Sequence, residues 1–239
     1  MKKIFRARML PLFTIGAGGL GLVLRIWLLS GGVDKKGLLV AGHPANALSF
    51  ILTALTLLVL FLCSLDPHPQ MKKTVFHAPI ATTIGCCAAA VGILATAIEE
   101  LLHRIEPVTI TCCVLGVLAA AALVLSCVLQ LRSMKPAWWL QLPVILFFMF
   151  HMISQYRFWS AEPEVQGFFF PLLASLFLML SSYHRIATDT GKPEPRRYLF
   201  TSQAALFFCC MSCVGSSRLF YLTCGAWLLT QILPRRIES

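Results

Sequence analysis

The chain alternates apolar runs of about twenty residues with short polar connections, and no connection exceeds about fifteen residues. A helix crosses the hydrocarbon layer with about 20 mostly apolar residues, and lipid then requires every backbone polar group to be satisfied within the segment. This repeated length restricts the fold to an all-α, polytopic transmembrane helical bundle. The runs are read as spans at 9–30, 45–65, 78–101, 108–130, 138–158 and 165–186. The stretch Leu199–Leu233 is too long for one span and too short for two generous ones. Gly215-Ser216-Ser217-Arg218 near its middle is a turn signal, which splits it into 198–214 and 219–233. The expectation is about eight spans in a single integral membrane domain covering residues 1–239.

Composition supports lipid as the solvent. Hydrophobic residues make up 58% of the chain and charged ones 13%, against about 25% charged in a soluble domain. The net charge of +10 would suggest nucleic acid in a soluble protein, but here the bases fall between apolar runs, as the positive-inside rule requires. With alternating spans, fourteen of the twenty lysines and arginines lie on the N-terminal side. Only an even span count then places Arg235 and Arg236 with them. Both termini are therefore expected in the cytoplasm. Trp27, Trp138, Trp139, Trp159 and Trp227 fall near helix ends and read as an aromatic belt. The basic N-terminus resembles a signal peptide, but Arg25 interrupts the run and no small-residue cleavage pattern closes it, so an uncleaved first helix is expected.

Arg25-Ile-Trp27 and Arg157-Phe-Trp159 end the first and fifth spans in similar fashion, and Gly-Leu-Leu-Val from Gly37 and Gly-Phe-Phe-Phe from Gly167 follow them. That echo admits a 4+4 repeat.

With no soluble domain, no P-loop and no dinucleotide fingerprint, a site must lie in the bundle or at its rims. Arg25, Arg104, Arg157 and Arg218 recur at the outer rim with Asp34, Glu99, Glu100, Glu106, Glu162 and Glu164. Arginine forks there suit an anionic solute or lipid headgroup; snorkelling anchors are the plainer reading. Ala88, Gly92, Thr96 and Glu100 repeat at four-residue spacing, a small face that lets another helix approach and turns Glu100 inward. The candidate ligand-binding set is Arg25, Glu100, Gln155, Tyr156, Arg157 and Trp159. No catalytic residue, metal ligand or cofactor is assigned. All ten cysteines lie in apolar runs, so packing explains them, including Cys210-Met-Ser-Cys213. His43-Pro44 and His68-Pro69 read as loop histidines.

Two resemblances add to this. Glu99-Glu100-x-x-x-Arg104 and Phe147-x-x-x-His151 resemble two motifs of the CAAX-type intramembrane proteases, in which a glutamate and histidines activate water. The third motif, a His with Asn or Asp four residues on, is not met: Thr188 stands at that spacing from His184. The run Ser154–Gln166, with Arg25-Ile-Trp27-Leu-Leu-Ser, Lys36-Gly37-Leu-Leu-Val-Ala-Gly-His43-Pro44 and Leu172-Leu173-Ala-Ser-Leu-Phe-Leu-Met-Leu, resembles an uncharacterised family of small multi-pass membrane proteins from anaerobic Gram-positive bacteria. That likeness implies a bacterial cytoplasmic-membrane protein and no particular activity. Three functions stay open: a small-solute or lipid-handling permease with an outer arginine site, a membrane sensor or accessory subunit of a larger complex, and an intramembrane protease. The expected partners are the lipid bilayer and other membrane subunits or a second copy, and not nucleic acid.

Overall fold

The computed structural model describes residues 2–32, 43–65, 80–103, 106–132, 134, 137–159, 165–190, 194–215 and 217–232. They form eight helices in chain order: α1 (Lys2–Gly31), α2 (Pro44–Ser64), α3 (Ile80–His103), α4 (Pro107–Leu131), α5 (Leu142–Trp159, entered through a 3-10 turn at Trp138–Gln141), α6 (Val165–Asp189), α7 (Pro195–Met211) and α8 (Arg218–Ile232). Six of them, α1 to α6, are long and apolar enough to cross a membrane, which makes this a multi-pass helical membrane bundle. The helices match the apolar runs to within a few residues at most ends.

Local chemistry fixes many of these ends. Pro44, Pro107 and Pro195 each open a helix, where a missing N–H costs nothing and the fixed φ is already helical. Pro107 is thus the start of α4. Gly215 has φ 141°, a conformation that a Cβ disfavours, and it turns the chain between α7 and α8. The long last run is two helices for that reason.

α7 sits at the centre. It packs on α1, α2, α6 and α8, while α3, α4, α5 and α6 follow one another side by side and α8 closes the gap between α3 and α7. From Leu199 onward α7 is buried at every position except Phe200 and Cys210, which are half-buried. Phe207 and Phe208 of α7, Phe147 and Phe148 of α5 and Phe220 of α8 fill the interior, with Phe208 stacked on Phe177 of α6 at 5.3 Å between centroids. Since lipid tails are as apolar as leucine, close packing and interhelical hydrogen bonds must hold such helices together. Thr14 donates to Gln203 Oε1 at 2.8 Å, tying α1 to α7, and Ser181 meets Ser202 at 3.0 Å, tying α6 to α7. α3 meets α8 through small residues: Gly85 lies against Thr230 and Gly92 against Thr223.

One expectation needs correction, and another is not confirmed. Trp27, Trp138 and Trp139 are exposed, as a belt demands, but Trp227 is buried among the helices. It fills volume that the small residues of its neighbours leave, and it is no interface anchor. The helix pairings also do not set out two equivalent halves: α3 packs on α8 and α1 on α7, whereas the pairs that a 4+4 repeat would generate from them, α7 with α4 and α5 with α3, are not among the main contacts.

Candidate functional site

Of the six residues singled out from the sequence, Glu100 and Gln155 are in contact, and Arg25 and Arg157 meet other groups. Arg25 is buried, although it lies only two turns from the end of α1. Its guanidinium donates from Nη1 to the Met211 carbonyl at 3.4 Å and stands over the Phe170 ring at 5.6 Å. Met211 is the last residue of α7, so the cation meets the negative end of a helix, where carbonyls lack intrahelical partners. Arg157 reaches Glu106 at 4.0 Å with both side chains more than half exposed, a pair worth about 0–1 kcal/mol. Tyr156 is exposed. Trp159 ends α5, and its side chain lies outside the described residues, as do Asp34, Arg104, Glu162 and Glu164. Among the described residues Arg25 and Arg157 thus meet different groups, and Arg25 packs against the end of α7.

Glu100 and Gln155 do come together. The small face of α3 brings Gly92 against α8 and aims Glu100 inward, its side chain 17% exposed. His151 and Gln155 lie one turn apart on α5 and so share a face. Gln155 Nε2 donates to Glu100 Oε1 at 3.2 Å, and His151 Nδ1 stands 2.9 Å from the same oxygen. That approach lies off the line of a hydrogen bond, and neither ring nitrogen has an aligned partner among the described residues. The imidazole is fully buried, stacked on Phe147 at 5.6 Å and against Phe220 at 4.7 Å. Cys112 of α4, also fully buried, completes the group: its sulfur, the Glu100 carboxylate and a His151 nitrogen all lie within 4.8 Å of one another. A carboxylate in a low-dielectric bundle demands such partners.

Beside this cluster the bundle is recessed. α7 and α8 have 17 and 15 residues, about 25 and 22 Å, and are shorter than the roughly 30 Å hydrocarbon layer. Their connecting turn stops below the end of α3. The result is a cavity of about 380 Å³ lined by Thr96 and Glu99 of α3 and by Gly215, Ser217, Arg218 and Phe220. Arg218 Nε donates to the Gly215 carbonyl at 2.9 Å, which fixes the turn. Phe220 belongs to both places, lining the recess on one side and packing on His151 on the other.

His151 and Cys112 are the members that the ligand-binding set lacked. The four-residue spacing of His151 and Gln155 was a usable signal, since it puts two polar side chains on one face of an otherwise apolar helix. Cys112 gave none, because nothing in α4 distinguishes it from the packing cysteines. His184, the residue nearest to a third protease motif, lies beside Glu194 at 3.6 Å, just ahead of α7's first residue and so at the end of that helix opposite the recess. Protein-family models, curated proteins and solved structures all give no match to this chain.

Proposed function

We propose that this chain is a small-solute permease of the bacterial cytoplasmic membrane, with eight spans and both termini cytoplasmic, that takes its solute at the recess between α3 and the α7–α8 turn. The recess carries the reading. Its volume of about 380 Å³ falls in the range of small-molecule sites, about 300–1,000 Å³. Its walls hold one carboxylate, Glu99, and one guanidinium, Arg218. Opposite charges on facing walls suit a zwitterion, an amino acid or a headgroup of that kind. Short, interrupted hydrophobic segments in the middle of a bundle are also where transporters place their sites. The excess of basic residues on the N-terminal side and the resemblance to multi-pass proteins of anaerobic Gram-positive bacteria support the topology and the location.

The test is thermal stability in detergent with zwitterionic amino acids, neutral sugars and inorganic phosphate, followed by uptake of the stabilising solute into proteoliposomes. A zwitterion-specific stabilisation that Glu99→Gln and Arg218→Gln each remove is the expected result. Stabilisation without uptake would favour a sensor or accessory subunit. A response unchanged in both variants would refute the recess as the binding site.

One observation favours a second reading. Glu100 and His151, which belong to the two protease-like motifs, stand 2.9 Å apart although 51 positions separate them. A carboxylate–imidazole pair beside an open recess could activate water. This reading expects cleavage of a membrane-tethered peptide that stops in Glu100→Gln. Activity that persists in that variant would exclude it.

A further inference from the structure

From the convergence of Glu100, Cys112 and His151 we infer that this chain holds a structural or catalytic zinc ion between α3, α4 and α5. The inference goes beyond the permease reading and does not depend on it, since the three residues lie behind the recess wall.

Three different helices each deliver one ligand atom of a different kind, a carboxylate oxygen, a thiol sulfur and an imidazole nitrogen, within 4.8 Å of one another. Donor atoms of a tetrahedral zinc stand about 3.3–3.7 Å apart, so modest side-chain adjustments, with the Glu100 oxygen and the His151 nitrogen parting from 2.9 Å, bring the set to that spacing. His151 and Cys112 are wholly buried. The His151 nitrogen stands 2.9 Å from the carboxylate oxygen, and neither ring nitrogen is committed to an aligned hydrogen bond among the described residues. Gln155 donates to Glu100 Oε1 and so orients a ligand from outside the site, the role that outer-shell groups have around metals.

Charge selects the ion. On binding, Cys112 releases its proton to water, and thiolate, carboxylate and a divalent cation together sum to zero. That neutrality is what a low-dielectric bundle favours. A mixed sulfur, nitrogen and oxygen set excludes magnesium and calcium, and a single sulfur is a poor match for Cu(I); three protein ligands with a fourth position open is the pattern of zinc.

The experiment uses the full-length protein in detergent, stripped with a chelator and reloaded with Zn²⁺ or with Co²⁺ as a spectroscopic stand-in. One zinc per chain should survive gel filtration. The cobalt form should show a thiolate-to-cobalt charge-transfer band in the near ultraviolet. Cys112→Ser should remove that band, and His151→Gln should lower zinc affinity by at least about 100-fold. Gln155→Ala should lower it by about 10–100-fold, the usual effect of losing an outer-shell partner. Each variant is first shown to be monodisperse with unaltered helix content, so that loss of metal is not loss of fold. No stoichiometric metal in the wild-type protein would overturn the inference, and so would a cobalt–thiolate band that persists in Cys112→Ser, which would place the ion at another cysteine.

Discussion

Replacing Gly92 by alanine tests the tightest glycine contact among the described residues. A Cβ at this position would stand against the Thr223 hydroxyl and 2.9 Å from the Thr223 Cβ. The hydroxyl is held by the carbonyls of Leu219 and Phe220 at 2.8 and 3.0 Å, and the Cβ is fixed by the backbone of α8. Rotation of Thr223 therefore does not make room, and α3 and α8 must separate by several tenths of an ångström. Overpacking of this kind costs about 1–3 kcal/mol. Gly16 is the control: it lies in α1 with nothing within 4 Å of its Cβ position. Alanine is a better helix former than glycine by about 0.8–1.0 kcal/mol. That gain applies to both substitutions and cancels between them, so Gly92→Ala should fall below Gly16→Ala by the overpacking cost alone. At about 2–4 °C per kcal/mol for a chain of this size, the two midpoints should differ by about 2–12 °C. A dye that reports exposure of the buried Cys209 and Cys224 follows unfolding in detergent. Adding Thr223→Ala removes the hydroxyl but leaves the Cβ, so it should restore part of the loss. Equal midpoints for the two glycine variants would mean that α3 and α8 are not in contact, and the inward aim of Glu100 would fall with that contact.

Arg25→Gln should lower stability by about 1.5–3 kcal/mol, the value of a hydrogen bond from a charged group, measured by thermal unfolding; no change would mean that the guanidinium does not cap α7. Glu100→Ala should cost about 1–3 kcal/mol by leaving the Gln155 amide without its acceptor and the buried His151 ring without its carboxylate neighbour, whereas Glu99→Ala, at an exposed position, should stay within about 0.5 kcal/mol; equal losses would separate Glu100 from the buried cluster. A lipid-permeant maleimide should label Cys63 and Cys87 in the folded protein, since both are exposed, while Cys112, Cys209 and Cys224 react only on unfolding; rapid labelling of Cys224 would contradict its burial. A reporter fused after Ser239 should behave as cytoplasmic, and a signal from the opposite side would mean an odd number of spans.

The helices were legible because lipid leaves few alternatives. Length and apolarity alone place α1 to α6, and Gly215 marks the break between α7 and α8 because a positive φ is cheap only without a Cβ. The site was legible in part. Four-residue spacing along α3 turns Glu100 inward, and the same spacing on α5 pairs His151 with Gln155. Which face of α5 meets α3 is decided by packing between helices that α4 separates in the chain, and no local pattern encodes it. Arg25 shows the opposite failure. Its place near a helix end reads as an interface anchor, yet its partner is a main-chain carbonyl at Met211, and main-chain groups carry no sequence signal. Trp227 misled for a related reason: nearness to the end of a short central helix is not nearness to the membrane surface.

The short central helices also change how the protein meets an electric field. The recess reaches down to Thr96, seven residues below the end of α3 at His103, or about 10 Å along the helix axis, so water that fills it shortens the insulating path by that much. The membrane potential then drops over the remaining two-thirds or so of the insulating layer rather than the whole of it. An elementary charge carried across the full layer is worth about 2.3 kcal/mol per 100 mV, so a charge that moves only through the drier part, between the recess floor and the far side, meets a steeper gradient than it would in flat lipid. Any ion or charged solute seated beside Glu99 and Arg218 consequently sits on the near side of that drop, and voltage acts on it only once it moves past the recess floor.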